Sequence, residues 1–271
     1  MHPSTDRPGP GDLRAFALTR RRLDLRFRRA TLASREWPAP DYVRVRLAGP
    51  ELVGFGSDGH DDHIRVFFPD PGAPLPGTID ELRAAPSREY TPLAWGDDGG
   101  TGWLDLEVAL HGDAGVGAPW AARAPIGAAV GIGGPRGTLS IEGTPDAWLL
   151  AGDETAIPQI RRYAALIPAG APATILVEVA DSAHEVPIEA PVPVTYVPRD
   201  GTPSGSALAD RLAAISASDR PQGAVFGFVA AEASIVPPAR ALLLDRWGLD
   251  SETVVVKGYW KCGEPEFHAP H

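Results

Sequence analysis

The sequence of 271 residues contains a single cysteine, Cys262. One thiol cannot form an intrachain disulfide, a cysteine-rich zinc site or a four-cysteine iron–sulfur cluster. If the protein transfers electrons, it therefore needs an organic cofactor. The seven histidines show no metal-ligand spacing, so we predict no metal site. Because no Ser-His-Asp arrangement or pair of catalytic carboxylates can be identified, hydrolysis is not expected.

Excess positive charge and long apolar runs are also missing. The formal net charge is −10 and the sequence pI is about 5.1, which disfavours general nucleic-acid binding. No run approaches the roughly 18 apolar residues that a membrane-spanning helix needs. Arg20-Arg21-Arg22 could begin a twin-arginine export signal, but no apolar segment follows it. We therefore expect a cytoplasmic protein without a membrane span, and its oligomeric state stays open.

Hydrophobic residues make up 44 % of the chain, enough for a folded core. Residues 1–20 are rich in proline, glycine and arginine, and we expect them to be loosely ordered. From residue 21 to about residue 145, short runs such as DYVRVRLAG alternate between apolar and polar side chains, which is the period of a β-strand. Glycine, proline and aspartate clusters separate these runs. The pattern predicts an antiparallel barrel or sandwich over residues 21–145.

The pattern changes at about residue 146. AWLLAG is a continuous apolar run, as expected of a buried parallel strand. Apolar residues at helical spacing follow it, and strands then alternate with helices, which predicts an α/β domain with a parallel sheet over residues 146–264 and a tail at 265–271. A barrel followed by such a domain is the architecture of the ferredoxin-reductase group. In that group a flavin lies on the barrel and a nicotinamide nucleotide on the α/β domain, but architecture alone is an analogy.

The stretch SREYTPLAW places Arg88, Tyr90 and Thr91 just before Pro92. One interpretation is an edge strand with polar groups that face solvent. The other is a cofactor clamp, in which the planar guanidinium binds a phosphate through two hydrogen bonds. In the clamp, the aromatic ring and the hydroxyl meet a planar ring. The stretch by itself leaves both interpretations open.

Two further loops could meet a cofactor. HGDAGVGAPW has three glycines within residues 112–117, and such a loop can bring backbone N–H groups close to a pyrophosphate. AGDETAIP ends a predicted strand and opens a predicted helix, so Asp153 or Thr155 is expected to cap the helix and Glu154 to face its positive end. Ligands also bind at such loops. Gly-x-Gly-x-x-Gly is missing from this loop, which disfavours a Rossmann dehydrogenase.

Taken together, the motifs resemble the siderophore-interacting protein family, whose members are FAD-dependent cytoplasmic ferric-siderophore reductases. The resemblance covers about residues 22–264, and its specific parts are GDETAIP and YWKCG. The motifs that carry it are DDHIRVFFP, REYTPLAW, ALHGDAGVGAPWA, GIGGPRG, LLAGDETAIPQI, FVAAE and KGYWKCGE. The resemblance implies FAD as cofactor, NADH or NADPH as reductant and a ferric siderophore as substrate.

The resemblance also implies roles for single residues. Arg88, Tyr90 and Thr91 would bind and position the flavin. Further cofactor contacts are implied for His111, Gly112, Gly115, Gly117, Ala118, Trp120, Asp153, Glu154, Thr155, Tyr259 and Trp260. Because ferric siderophores are often anionic and the chain is acidic, a local basic patch is needed, for which Arg65 and Lys261 are the candidates; ordinary solvated charges are the alternative.

The chain departs from the family pattern at three positions. Ala118 stands where the family has a serine, Leu93 where it usually has a second arginine, and Ala128 replaces a common aspartate. These departures bear on how tightly FAD is held. Two other functions therefore stay open: a general NAD(P)H–flavin or quinone reductase of the same fold, and a non-enzymatic siderophore-binding protein that has lost its flavin.

The choice between the two nicotinamide nucleotides is also open. Glu178, Asp181 and Ser182 follow a predicted strand, and an acidic residue there disfavours the 2′-phosphate of NADPH. Arg199 lies after a later strand and could favour that phosphate. The sequence does not decide between them.

Overall fold

The computed structural model describes residues 15–69, 78–110, 115–264 and 267. The first half of the chain is rich in antiparallel sheet. Its strands are β1 Phe16–Arg22, β2 Phe27–Ala39, β3 Tyr42–Gly49, β4 Ile64–Phe67, β5 Ser87–Tyr90, β6 Ala94–Asp98, β7 Thr101–Ala109, β8 Ala129–Gly133 and β9 Gly137–Gly143, and its helices are α1 Ile79–Ala84 and α2 Gly117–Arg123. Seven strands form one sheet in the order β5-β4-β8-β2-β3-β7-β6, and β1 pairs with β9. We call this part the antiparallel domain.

The alternation read from DYVRVRLAG is present in β3. Val43, Val45 and Leu47 are buried, whereas the side chain of Arg46 is 44 % exposed. Arg46 lies opposite Asp105 of β7, and the two side chains form a double hydrogen bond with distances of 2.7 Å. One face of the strand therefore enters the core while the other carries cross-strand ion pairs.

The expectation that residues 1–20 are loosely ordered is wrong for the described part of that segment. Phe16 to Arg22 form β1, which pairs antiparallel with β9. Phe16 is 3 % exposed, and its ring meets Phe226 edge-on at 6.1 Å between centroids. Pairing with β9, together with burial of this aromatic ring against the second domain, holds Phe16–Arg22 in place.

The second half of the chain forms the predicted α/β domain. Its strands are β10 Ala147–Gly152, β11 Ala173–Val179, β12 Val194–Pro198, β13 Val225–Glu232 and β14 Val254–Trp260, and its helices are α3 Ile157–Ala164, α4 Ser206–Ala213 and α5 Val236–Arg240, which continues as a π-helical turn at Ala241–Arg246. The five strands are parallel, in the order β12-β11-β10-β13-β14. The central strands β10 and β13 are buried along their whole length. The predicted fold class is therefore confirmed.

The helices of this domain are short, with eight residues each in α3 and α4. Their apolar faces cover the sheet, and α3 buries Ile157, Ile160 and Tyr163 completely. Among the residues that the structure describes, no helix combines the length and the apolar character needed to cross a bilayer.

Two arginines of α3 join the domains. Arg162 donates hydrogen bonds to the backbone oxygens of Ser57, at 2.6 Å, and Pro92, at 3.2 Å. Arg161 lies 3.3 Å from the carboxylate of Glu107, whose side chain is fully buried. These contacts hold the C-terminal half of α3 against the antiparallel domain.

Candidate functional site

The first four residues of SREYTPLAW form β5, which lies at one edge of the seven-stranded sheet and, among the strands that the structure describes, pairs with β4. The polar groups of this stretch do not simply face solvent, however. Arg88 and Tyr90 are half-buried and Thr91 is 6 % exposed. The ring of Tyr90 lies edge-on to Phe68 at 6.4 Å, and burial raises the pKa of Tyr90. The phenol therefore stays neutral and is able to donate a hydrogen bond at physiological pH.

The glycine-rich loop passes directly over these side chains. A Cβ atom added to Gly117 would lie 2.0 Å from the hydroxyl of Tyr90, and one added to Gly115 would lie 3.5 Å from Nη2 of Arg88. Gly115 also has a φ of 90°, a conformation that favours glycine. At Gly117 a side chain would collide with the phenol, whereas at Gly115 a Cβ would make an ordinary contact and the positive φ is what favours glycine. The structure thus brings together the two segments that the sequence assigned to one cofactor.

Helix α2 completes this corner. Trp120 packs against Phe68 at 5.3 Å between ring centroids, next to Tyr90. Ala118 lies half-buried in the first turn of α2 and offers no hydroxyl. His111 and Gly112 lie outside the described residues. A cation, an aromatic ring and a glycine cradle at one place fit a cofactor that has both a phosphate and a planar ring.

Asp153 directly follows β10 and is completely buried. Its carboxylate accepts hydrogen bonds from the backbone N–H groups of Thr155 and Glu232, each at 2.9 Å, and from the indole N–H of Trp260 at 2.8 Å. The predicted cap at Asp153 is confirmed. The same carboxylate ties together the carboxyl ends of β10, β13 and β14, a role that sequence reasoning missed.

Glu154 lies in the first turn that Asp153 caps, as the sequence suggested, but its carboxylate also has a partner that the sequence did not predict. It forms two hydrogen bonds with Arg199, at 2.8 and 2.9 Å. Arg199 also lies 3.4 Å from Glu178, which accepts hydrogen bonds from the backbone N–H groups of Gly205 and Leu208 at 2.7 and 2.8 Å. Burial raises the pKa of Glu178. Arg199 is therefore the centre of a buried ion-pair cluster.

A cleft opens beside this cluster, between the domains. The α/β domain lines it with Glu154, Arg199 and His184. The antiparallel domain lines it with Asp41, in the turn between β2 and β3, and with Tyr42, the first residue of β3. His184 Nδ1 lies 2.7 Å from Asp181, and its Nε2 lies 3.6 Å from Asp41. The hydrogen bond to Asp181 raises the pKa of His184 and lowers that of Asp181.

Both predicted substrate-binding cations have carboxylate partners. Arg65 Nη2 donates to Glu89 at 2.7 Å, and Lys261 donates to Glu264. All four side chains are between 40 and 52 % exposed. Their segments approach each other, because Lys257 of β14 contacts Asp61, which lies four residues before Arg65.

The other predicted cofactor contacts near the C-terminus are Tyr259 and Trp260. Both side chains face the interior where the two domains meet. Trp260 bonds to Asp153 as described. Tyr259 packs on the core cluster that contains Phe228, and burial, with Asp61 nearby, raises the pKa of Tyr259.

Comparison with known proteins agrees with this geometry. Residues 31–139 match the model of the siderophore-interacting FAD-binding domain, and residues 145–263 match that of the siderophore-interacting protein. The chain belongs to the siderophore-interacting protein family. The predictions of the family and of FAD as cofactor are thereby confirmed.

Three relatives illustrate the similarity. The ferric vibriobactin reductase ViuB of Vibrio cholerae is 28 % identical over 242 residues, which cover 86 % of this chain and 88 % of that protein. The NADPH-dependent ferric-chelate reductase of Escherichia coli is 37 % identical over 149 residues, or 52 % of this chain and 57 % of that protein. The crystal structure of a siderophore utilization protein from T. fusca is 30 % identical, with a TM-score of 0.81, and the match covers 93 % of this chain and 98 % of that chain.

Proposed function

We propose that the protein reduces ferric siderophores in the cytoplasm, with electrons that pass from NADH or NADPH through FAD. The observation that carries the proposal is the close approach of Gly115 and Gly117 to Arg88 and Tyr90, within a domain that matches an FAD-binding family. The relatives named as ferric vibriobactin reductase and ferric-chelate reductase support the reaction class.

The residues of this corner would hold the cofactor. Arg88 would bind a phosphate of FAD, because a guanidinium can form two charge-assisted hydrogen bonds with it. Gly115 and Gly117 leave room for the backbone to approach the pyrophosphate. Tyr90 and Thr91 would position the flavin ring. When bound, FAD supplies the redox chemistry that connects a hydride donor to a one-electron acceptor.

The substrate side needs no acid or base from the protein. Oxygen-rich siderophores hold hard Fe(III) much better than Fe(II), so reduction itself releases the iron. What the chain must supply is attraction for an anionic chelate. Arg65 and Lys261 would do so from the two sides of the domain junction, in competition with Glu89 and Glu264.

The proposal is tested by reduction of the FAD-loaded protein and stopped-flow measurement of its reoxidation. We expect a ferric siderophore to reoxidise it faster than a ferric salt or a quinone does. Equal or faster reaction with the quinone would favour a general flavin or quinone reductase. Failure to bind FAD, together with retained siderophore binding, would favour the non-enzymatic alternative.

The variant Arg65→Glu, Lys261→Glu is expected to slow reoxidation by an anionic ferric siderophore about fivefold to tenfold at low salt, because exposed charges act mainly through steering. The effect should shrink as salt rises, and a neutral acceptor should be affected much less. Stopped-flow rates at two ionic strengths check this.

The matched control is Arg29→Glu, Arg211→Glu. It changes the net charge equally, and Arg29 is also an exposed arginine paired with a carboxylate, Glu51. If both double variants slow the reaction equally, Arg65 and Lys261 form no specific basic patch.

A further inference from the structure

The cleft between the domains lies where a nucleotide is expected to bind. Ligands of open α/β sheets bind outside the carboxyl ends of the strands. Glu154 follows β10, Ala180 follows β11 and Arg199 follows β12, and all three line the cleft. Asp41 and Tyr42 of the antiparallel domain close its other side.

The arginine of this cleft is not available to bind a phosphate. Arg199 is held by Glu154 through two hydrogen bonds and lies 3.4 Å from Glu178. The side chains of Glu154 and Glu178 are 10 % and 0 % exposed. If Arg199 turned toward a ligand, it would leave two buried carboxylates without their cation, which is strongly unfavourable.

The second cation is compensated as well. His184 lies between Asp181, whose side chain is 49 % exposed, and Asp41, whose side chain is 72 % exposed. The cluster therefore has four carboxylates against two cations, which leaves a net charge of −2 when His184 is protonated. Asp41 lines the cleft, and Asp181 contacts the lining residue His184, so these two exposed carboxylates lie at or next to its rim.

We propose that this cleft selects NADH over NADPH, with Asp41 and Asp181 as the residues that determine specificity. A 2′-phosphate would bring a charge of about −2 into a negative cluster, whereas a ribose 2′-hydroxyl can donate a hydrogen bond to a carboxylate at the rim. The inference rests on the proposed function, because it names the electron donor of that reaction.

The inference is tested without turnover by titrating the purified protein with NAD+ or NADP+ and measuring its tryptophan fluorescence. At low salt we expect NAD+ to bind at least about tenfold more tightly, since repulsion between close charges is then weakly screened. The double variant Asp41→Asn, Asp181→Asn is expected to bind NADP+ at least about fivefold more tightly than the wild type does. The affinity for NAD+ should not rise. Asparagine is suitable at position 41, where φ is 54°, because it tolerates this conformation.

The matched control is Asp210→Asn, Asp245→Asn, which removes two exposed charges elsewhere in the α/β domain and should not change the preference. Tighter binding of NADP+ to the wild type, or binding of neither nucleotide, would overturn the inference. The proposed function is judged separately, from electron transfer to a ferric siderophore after reduction with dithionite. That reaction does not involve a nucleotide.

Discussion

The variant Gly117→Ala is expected to bind FAD roughly ten- to one-hundredfold more weakly while its fold is retained. A Cβ atom at this position would lie 2.0 Å from the hydroxyl oxygen of Tyr90 and 3.2 Å from its Cζ. Gly117 is buried, and its φ is not positive. Alanine is therefore opposed by a steric clash and not by an unfavourable backbone conformation. Either Tyr90 or helix α2 must move, and overpacking of this kind costs about 1–3 kcal/mol.

Titration of the apo-protein with FAD measures the affinity, and circular dichroism checks the fold. Gly56→Ala is the matched control, because no atom lies within 4 Å of a Cβ placed there. Unchanged FAD affinity in a folded Gly117→Ala variant would mean that the glycine loop only passes over an edge strand.

Tyr90→Phe separates the clash from other effects of the alanine. It removes the oxygen that the new methyl group would meet, so Tyr90→Phe should be less harmful in the Gly117→Ala background than in the wild type. A coupling free energy of about 1 kcal/mol or more between the two positions is expected. Additive effects would show that the hydroxyl is not the obstacle.

Local patterns in the sequence predicted much of this structure. The strands of the antiparallel domain follow from alternation, and β10 follows from a continuous apolar run, because each pattern reflects how many faces of a strand are buried. The cap at Asp153 follows from residues next to it in the chain. Even the meeting of Arg88 with Gly115 could be expected, although only through resemblance to a family.

The partners of charged side chains could not be predicted in this way. Arg65 meets Glu89 because β4 and β5 pair in one particular register, and a sequence does not state the register of two strands joined by a long connection. Arg199 meets Glu154 because β10 and β12 lie on either side of β11. The sequence therefore left Arg199 as a phosphate-binding candidate, and its burial between carboxylates became visible only in the folded chain.

Asp153 both caps a helix locally and accepts hydrogen bonds from distant segments in the core. The sequence predicted a local cap, which needs only the N–H of Thr155. The folded chain adds Glu232 and Trp260 as donors, from segments about 80 and 107 residues away. A carboxylate has two acceptor oxygens with room for all of these donors, which explains why an aspartate suits this position better than a serine or threonine cap.

Asp153→Ala is accordingly expected to destabilise the protein by about 3–5 kcal/mol, a large part of the roughly 5–15 kcal/mol typical of folded proteins. Each buried N–H that loses its acceptor costs about 1–3 kcal/mol, and loss of the cap adds about 1 kcal/mol. The midpoint of urea unfolding should fall sharply.

Trp260→Phe removes one donor and leaves the carboxylate with its other partners, so its midpoint should fall much less. Asp153→Asn should lie between them, because its amide keeps one acceptor oxygen but turns an NH2 group toward N–H donors. If Asp153→Ala unfolds at no lower urea concentration than Trp260→Phe, the carboxylate does not join the three strands. Its predicted contact with the cofactor would then be the remaining reason for an aspartate at this position.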